Sequence, residues 1–462
     1  MQKACRALAQ IAGRFLFIGI TVQILLGILW GVRSFGIFPE FGDSYLWLKA
    51  ADTFVYDDYM GIGYPLFLML AKGIESISSI PYTFLVYTVQ ILFAFYSGVV
   101  FLRSFGVTDR KGFLYWGSLG LLTFPMALQC HLAVLPNSLG YSCLLLELAV
   151  IFRLLRRDAQ GVAEPRPLRQ LFFVGLWWVL STLFVVENLY LGMIPLIALW
   201  ILHLVKLKQT GRQRVLRELV LLAAMGGILF TLVPLWQTAG SYGKAENTVS
   251  AAMMRRFSWT HMRDEDEYDE WPEELKNYMS WGDTKRAGYY AGTMQAGIQK
   301  QIEDTVGSRE AQKIFRQYAL YHLKTYTSDN IHQIVWDGAG YAVPPVLLQL
   351  LLNGRGYDSF SGRNVDIMMT GAPRLTNFML KYSSWWFLMG IPAMLLVYVI
   401  CRGRGTDRRI LSICVITAGC MILWYTLRDA GCLDYKNGLL PGSLWLVGMI
   451  LSIGRSLGKE EQ

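Results

Sequence analysis

The stretch FLFIGITVQILLGILW, residues 15–30, contains no charged side chain, and neither does the longer run 82–102. A helix rises 1.5 Å per residue, so about twenty such residues cross the roughly 30 Å hydrocarbon core of a bilayer. A helix also satisfies its own backbone hydrogen bonds where no water is available. A surface helix of a soluble protein would instead show a polar face every few residues. The two stretches therefore predict transmembrane helices.

The composition supports this prediction. The 462 residues are 53% hydrophobic and only 17% charged, against about 25% charged in average soluble chains. The net charge of +9 does not indicate nucleic-acid binding, because the basic residues flank the apolar runs and form no basic tract with interleaved aromatics. The seven cysteines show no zinc-ligand spacing, so we predict no metal centre built from them.

The apolar runs predict an all-α polytopic membrane protein with about ten transmembrane helices. The first run is too long for a signal-peptide core and no small-residue cleavage site follows it, so we expect an uncleaved span. The predicted spans are residues 15–35, 81–102, 113–129, 133–152, 170–186, 189–205, 218–236, 385–401, 410–427 and 438–454.

The basic residues select one orientation by the positive-inside rule. The short connectors on the opposite side, near 129–132 and 187–188, contain no lysine or arginine. We therefore predict an integral protein of the plasma membrane with both termini in the cytoplasm. The residues placed inside are Arg103, Arg110 and Lys111; Arg153, Arg156, Arg157, Arg166 and Arg169; Lys206, Lys208, Arg212, Arg214 and Arg217; and Arg402, Arg404, Arg408 and Arg409.

This topology divides the chain into three parts. Residues 1–236 form an N-terminal membrane region of seven spans, which includes a first outer loop at 36–80. Residues 237–384 form an extracytoplasmic domain, long enough to fold as a unit. We expect this domain to be mainly helical, with one helical stretch over 285–325. Residues 385–462 carry the last three spans.

The first outer loop is rich in carboxylates and aromatics, with Asp43, Asp52, Asp57 and Asp58. Asp43 follows the first span closely and would lie at the membrane–water interface. A carboxylate there could act as a general base that deprotonates an acceptor hydroxyl beside a lipid-anchored sugar. The alternative is that Asp43 caps an interfacial helix, and that Asp57 and Asp58 belong to a solvated turn.

At these residues the chain resembles the GT-C membrane glycosyltransferases. The matching residues are Asp43, Tyr45 and the Gly-Tyr-Pro-Leu sequence at 63–66. The branch that it resembles uses polyprenyl-phosphate sugars and includes protein O-mannosyltransferases and lipid A aminoarabinose transferases. The basic, aromatic and proline-containing turn at 428–441 is similar to the turn before the last span of those enzymes.

The resemblance implies an inverting transfer of a sugar from a polyprenyl-phosphate donor to an acceptor on the outer face of the membrane. It implies that Asp43 is the catalytic base and that the acceptor is a lipid, glycan or protein. Many of the relatives carry Asp-Glu where this chain has Asp43-Ser44. The supporting role of a second carboxylate could then fall to Asp57, Asp58 or Glu187.

The donor phosphate needs cationic side chains near the outer interface, because they form charge-assisted hydrogen bonds with phosphate oxygens. The candidates are Arg428, Lys436, Arg255 and Arg256, and the alternative is that they snorkel to lipid headgroups. Supporting candidates are Tyr64, which could instead be structural; Glu187, in a connector too short to leave the membrane surface; and His131, which could be a packing residue.

Two further features leave alternatives open. The acidic run at 264–270 could bind a divalent cation, but it lacks the spaced, glycine-containing loop of a calcium site, so a solvated face is the favoured interpretation. Glu147, inside the fourth span, could serve a site or pair with an inner arginine. The rival functions are a secondary transporter, which would place ionisable groups at mid-membrane, and a non-enzymatic protein with an extracytoplasmic sensor or assembly domain.

Overall fold

The computed structural model describes most of the membrane region and part of the large inserted segment. The residues described are 2–35, 44–54, 60–106, 111–159, 167–205, 227, 249–258, 276–277, 298–343, 373–400, 405–428 and 438–457. Within these ranges the regular structure is helical, and the single β-bridge joins Met60 to Val185. The predicted all-α class is confirmed for these residues.

The helices of the first half run from the N-terminus to residue 205. They are α1 (Gln2–Ser34), α2 (Ser44–Thr53), α3 (Gly63–Ser78), α4 (Tyr82–Ser104), α5 (Lys111–Leu122), α6 (Pro125–His131), α7 (Asn137–Ala159), α8 (Pro167–Phe184) and α9 (Asn188–Val205). The helices described in the second half are α10 (Val249–Ser258), α11 (Lys300–Val306), α12 (Ser308–Thr325), α13 (Thr327–Ala342), α14 (Pro373–Ile400), α15 (Gly405–Arg428) and α16 (Leu439–Leu457).

Five described helices are long and apolar enough to cross a membrane. They are Ala4–Ser34, Tyr82–Ser104, Asn137–Arg157, Phe378–Ile400 and Leu439–Ser456. These helices support an integral membrane protein and overlap five of the predicted spans. Helices α8, α9 and α15 overlap three more predicted spans, whereas the predicted span 218–236 lies outside the described residues apart from Gly227.

The predicted span 113–129 is divided into two helices, α5 and α6. Proline has no backbone N–H and its ring clashes with the preceding turn, so it is favoured in the first turn of a helix and disfavoured in the interior. Pro125 accordingly opens α6. The Thr123 N–H donates to the Leu119 carbonyl at 2.9 Å, which closes α5 just before the break.

Helix α7 lies at the centre of the membrane region and packs against α4, α8 and α9, while α1 packs against α14 and α16. Side chains of α7 such as Leu148 and Phe152 are fully buried. Large apolar side chains remain exposed on the peripheral helices, for example Val32 on α1 and Val399 on α14. This distribution is what a bundle surrounded by lipid requires, because its outer surface faces hydrocarbon.

The described helices of the large segment have an apolar core of their own. Ala251 and Met254 of α10 pack with Phe315 and Tyr318 of α12 and with Ile302 of α11. Helix α13 connects this cluster to the membrane region, since it packs against both α12 and α15. The predicted domain boundary at 236 lies outside the described residues, whereas the one at 384 falls inside the continuous helix α14. Both boundaries stay predictions.

Candidate functional site

A cleft lies where α7, α9 and α16 begin and where α8 and α15 end. The charge pattern predicts that these helix ends face outward, so we name it the outer cleft. Its polar lining comes from Asn137, Tyr141, Glu187, Asn188 and Tyr425. Apolar residues of α7, α9 and α16 complete the walls. The cleft is small: its volume is about 30 Å³, against roughly 300–1,000 Å³ for small-molecule binding sites, so its converging polar groups and not its size make it a candidate.

The first outer loop is attached to the connector that carries Glu187. The β-bridge between Met60 and Val185 joins the two segments through their backbones. Gly61 lies so close to the Leu183 carbonyl that any side chain at position 61 would overlap it, which explains the glycine there. The part of the loop around residues 60–61 is therefore held beside one wall of the outer cleft.

Tyr64 is fully buried and begins a chain of hydrogen bonds. Its hydroxyl donates to Gln90 Oε1 at 2.9 Å, and Gln90 Nε2 donates to the carbonyls of His131 (3.0 Å) and Ala133 (2.9 Å). The Trp47 ring lies edge-on to the Tyr64 ring, with centroids 5.7 Å apart. Burial raises the pKa of Tyr64 well above its usual value, so the phenol is a neutral hydrogen-bond donor.

His131 continues this polar chain towards the last helix. Its Nδ1 lies 2.7 Å from Ser138 Oγ, and its ring lies beside that of Tyr141. Tyr141 in turn donates to Ser443 Oγ at 2.7 Å. Burial lowers the pKa of His131 to about 3, so its imidazole is neutral near pH 7. It can supply a hydrogen bond to the site but no positive charge.

Arg255 and Arg256 lie on α10 and bind neighbouring helices of the large segment. Arg255 Nη1 donates to Gln299 Oε1 at 2.6 Å. Arg256 forms an ion pair with Asp337 of α13, and the two side chains are only 2% and 1% exposed. Arg256 Nη2 has no hydrogen-bond partner within the described part of the chain. The phosphate-binding role of both arginines stays a prediction.

Helix α13, which carries Asp337, also forms part of the surroundings of the cleft. The ring of Tyr341 lies 5.7 Å from that of Tyr425, centroid to centroid, and Gly338 lies against Thr426. Tyr341 is fully buried at this contact. The large segment therefore packs directly behind one wall of the outer cleft.

The structure brings three of the predicted supporting residues into one region. Tyr64 and His131 belong to the same hydrogen-bond chain, and Glu187 lines the cleft that this chain borders through Tyr141. Asp43, Asp57, Asp58, Lys436 and the acidic run 264–270 lie outside the described residues. Arg428 ends α15, one turn beyond Tyr425 of the cleft, and its side chain is likewise not described.

The sequence analysis missed several polar residues that build this region. Gln90, Ser138 and Tyr141 connect its parts, and Asp337 neutralises Arg256. The available signal was a side-chain amide inside an apolar run, as Gln90 is within 82–102. Such a residue must find a partner in the bundle, because leaving it unsatisfied costs free energy.

Comparisons with protein-family models, curated proteins and solved structures found no match to this chain. The described residues contain no group of three or more histidine, cysteine or acidic side chains that could hold a metal ion.

Proposed function

We propose that the protein is a GT-C-type glycosyltransferase that takes a sugar from a polyprenyl-phosphate donor and passes it to an acceptor on the outer face of the membrane. One observation carries the proposal. Part of the first outer loop, the connector with Glu187 and both flanks of the last hairpin meet around one cleft at the ends of the helices. A donor anchored in the bilayer would present its sugar at this level.

In the proposed reaction Asp43 accepts the proton of the acceptor hydroxyl. The acceptor oxygen forms a bond to the anomeric carbon as the bond from that carbon to the phosphate oxygen breaks. The electron pair leaves with polyprenyl phosphate, and the configuration at the anomeric carbon inverts. Arg428 and Lys436 would stabilise the charge that grows on the phosphate. Glu187 would hold acceptor or sugar hydroxyls by accepting hydrogen bonds.

The first test is the substitution Asp43→Asn in the full-length protein purified in detergent. The assay supplies a panel of polyprenyl-phosphate sugars and measures released polyprenyl phosphate, with and without a metal chelator because a divalent cation could assist binding. Removal of a general base should lower the rate by about 10²–10⁴-fold, with the protein still folded and inserted.

The matched control is Asp52→Asn. Asp52 lies in the same loop, its side chain is 59% exposed, and it pairs with Lys72 at 2.5 Å. This variant should retain the wild-type rate. Full activity of the Asp43→Asn protein would refute the assignment of the base, and absence of transfer from every donor in the panel would count against the transferase itself.

One observation favours the second candidate, a secondary transporter. Glu147 is a fully buried carboxyl within the span Asn137–Arg157, and transporters place ionisable groups near mid-membrane. In that case proteoliposomes would accumulate a solute, and Glu147→Gln would abolish the uptake while Asp43→Asn would not. If the protein is a transferase, Asp43→Asn should lower the rate of sugar transfer more than Glu147→Gln does.

A further inference from the structure

Glu147 lies deep in the bundle. It follows Asn137, the first residue of α7, by ten residues, which corresponds to about 15 Å along a helix. This depth is half of the roughly 30 Å hydrocarbon core. The side chain is completely buried, so it faces neighbouring helices and not lipid.

Two helices cover the carboxyl group. A side chain at Gly192 of α9 would collide with both Glu147 Oε2 and the Trp178 indole of α8, so only glycine fits between them. The Trp178 N–H is already used, since it donates to the Leu189 carbonyl at 3.1 Å. Neither oxygen of Glu147 has a hydrogen-bond partner in the ranges that the structure describes.

No described cation balances this carboxyl group. Cys143 lies one turn earlier on α7, close enough to interact electrostatically with Glu147. The titratable and charged groups described on α7 and on the helices packed against it are Tyr141, Arg153, Arg156 and Arg157 of α7, Tyr82, Tyr87, Tyr96 and Arg103 of α4, Arg169 of α8, Cys130 and His131 of α6, and Cys414, Cys420 and Tyr425 of α15. None of the arginines among them forms an ion pair with Glu147, so the predicted pairing with an inner arginine is not seen among the described residues.

An ionised carboxylate without a partner is strongly disfavoured in such a place, because its hydration is lost and nothing replaces it. The neutral acid is the form that the bundle can hold. The outer cleft comes close to this position, since its lining includes Leu144, one turn from Glu147, and Leu191, the neighbour of Gly192. The group is thus separated from the cleft by about one helical turn.

We propose that Glu147 is a proton-binding site inside the membrane bundle that exchanges its proton with the outer cleft. The inference goes beyond sugar transfer and does not depend on it. An intramembrane carboxyl group that holds a proton should also be a modification site for hydrophobic carbodiimides, which reach apolar interiors and react with the acid form.

The chemistry of this modification is balanced without any further reagent. The acid proton moves to one nitrogen of the carbodiimide, and the carboxyl oxygen bonds to its central carbon to give an O-acylisourea. Migration of the acyl group from oxygen to nitrogen then gives a stable N-acylurea. The peptide that contains residue 147 gains the mass of one reagent molecule.

The test uses the full-length protein in proteoliposomes whose orientation has been established, with dicyclohexylcarbodiimide as the probe. Mass spectrometry should locate the adduct at Glu147, and Glu147→Gln should lose it. With the internal pH fixed, labelling should fall about tenfold for each external pH unit above the midpoint of the titration. Asp52, which is exposed, should instead react with a water-soluble carbodiimide.

Two results would overturn the proposal. One is absence of an adduct at Glu147 in the wild-type protein at acidic external pH, a measurement that does not depend on the folding of any variant. The other is labelling that follows the internal pH alone, which would place the exchange on the opposite side of the membrane. The rate of sugar transfer enters neither result, so the glycosyltransferase proposal is tested separately.

Discussion

Single polar residues in the apolar runs determine how the membrane helices connect. The side-chain carbonyl of Gln90 accepts a hydrogen bond from Tyr64 of α3. Its NH₂ group donates to the backbone carbonyls of His131, which ends α6, and of Ala133, which follows it. The side chain of Gln90 on α4 therefore links α3 to the residues at and after the end of α6. In an apolar interior such a fully satisfied network favours one arrangement over others.

The hydroxyl of Tyr64 can be tested by Tyr64→Phe. This substitution keeps the buried ring and leaves Gln90 Oε1 without its donor, which should cost about 1–3 kcal/mol of stability. We expect a lower midpoint of thermal unfolding in detergent. Tyr45→Phe serves as the control, because Tyr45 is exposed and its loss of a hydroxyl should change little. An unchanged midpoint for Tyr64→Phe would show that the hydrogen bond is not stabilising.

At the residue scale the sequence predicted a structural alternative for Tyr64 but not its partner. The glycines before it could be recognised as sites of close approach, whereas the contact itself, with Leu183, is more than 100 residues away in the chain. Local spacing carries no information about which distant carbonyl will lie there. Asp337 was missed for the same reason, since its pairing with Arg256 spans 81 residues.

Among the elements, α10 and α13 are joined by the buried pair of Arg256 and Asp337. Taking two charges out of water is costly, and their attraction offsets that cost only while both are present. The pair therefore acts less as a source of net stability than as a constraint on how the two helices meet. Because α13 also packs against α15, the constraint extends to the wall of the outer cleft.

Replacing one member of this pair should lower the stability of the protein far more than replacing both. Arg256→Met should lose about 3–5 kcal/mol because the buried Asp337 carboxylate then lacks the positive charge of the arginine, while Arg256→Met combined with Asp337→Leu should recover much of the loss. Chemical or thermal unfolding of the purified protein measures both. The exposed pair Lys313–Glu310 is the reference, and Lys313→Met should change stability by less than about 1 kcal/mol. Equal losses for the single and double variants would contradict this account.

Most of the membrane helices could be predicted from the sequence. Apolar runs of about twenty residues predict helices by the thickness of the bilayer alone, and the five long apolar helices overlap five of those runs. The exception is the break before Pro125, where the apolar run continues but the helix does not. Hydropathy does not register the missing backbone N–H of a proline. The break could have been inferred only from Pro125 itself, and the sequence analysis did not make that inference.

On the scale of the whole molecule, the chain combines a lipid-facing bundle with a separate apolar cluster formed by α10, α11 and α12. The two cores have different tasks. The first excludes water and lipid from the centre of the bundle, and the second orders helices of the inserted segment. A domain spanning 237–384 stays a prediction from the sequence, which could not predict that α13 would pack against both α12 and α15.

Sidedness is the whole-molecule prediction that is easiest to check. In right-side-out vesicles a membrane-impermeant amine reagent should label Lys313, whose side chain is 61% exposed on α12, because the positive-inside rule places that segment outside. Lys206 and Lys208 should react only after permeabilisation. The reverse pattern, read by mass spectrometry of the labelled peptides, would invert the topology and move the outer cleft to the cytoplasmic face.

The junction at Met60 and Val185 has a consequence for how relatives of this chain can vary. The five residues from Met60 to Tyr64 are held at one end by a backbone bridge and at the other by the phenol of Tyr64 on Gln90. An inserted or deleted residue between these two anchors would shift the phenol or break the bridge. Changes of length in this loop should therefore accumulate ahead of Met60 in diverged relatives, leaving this five-residue spacing constant.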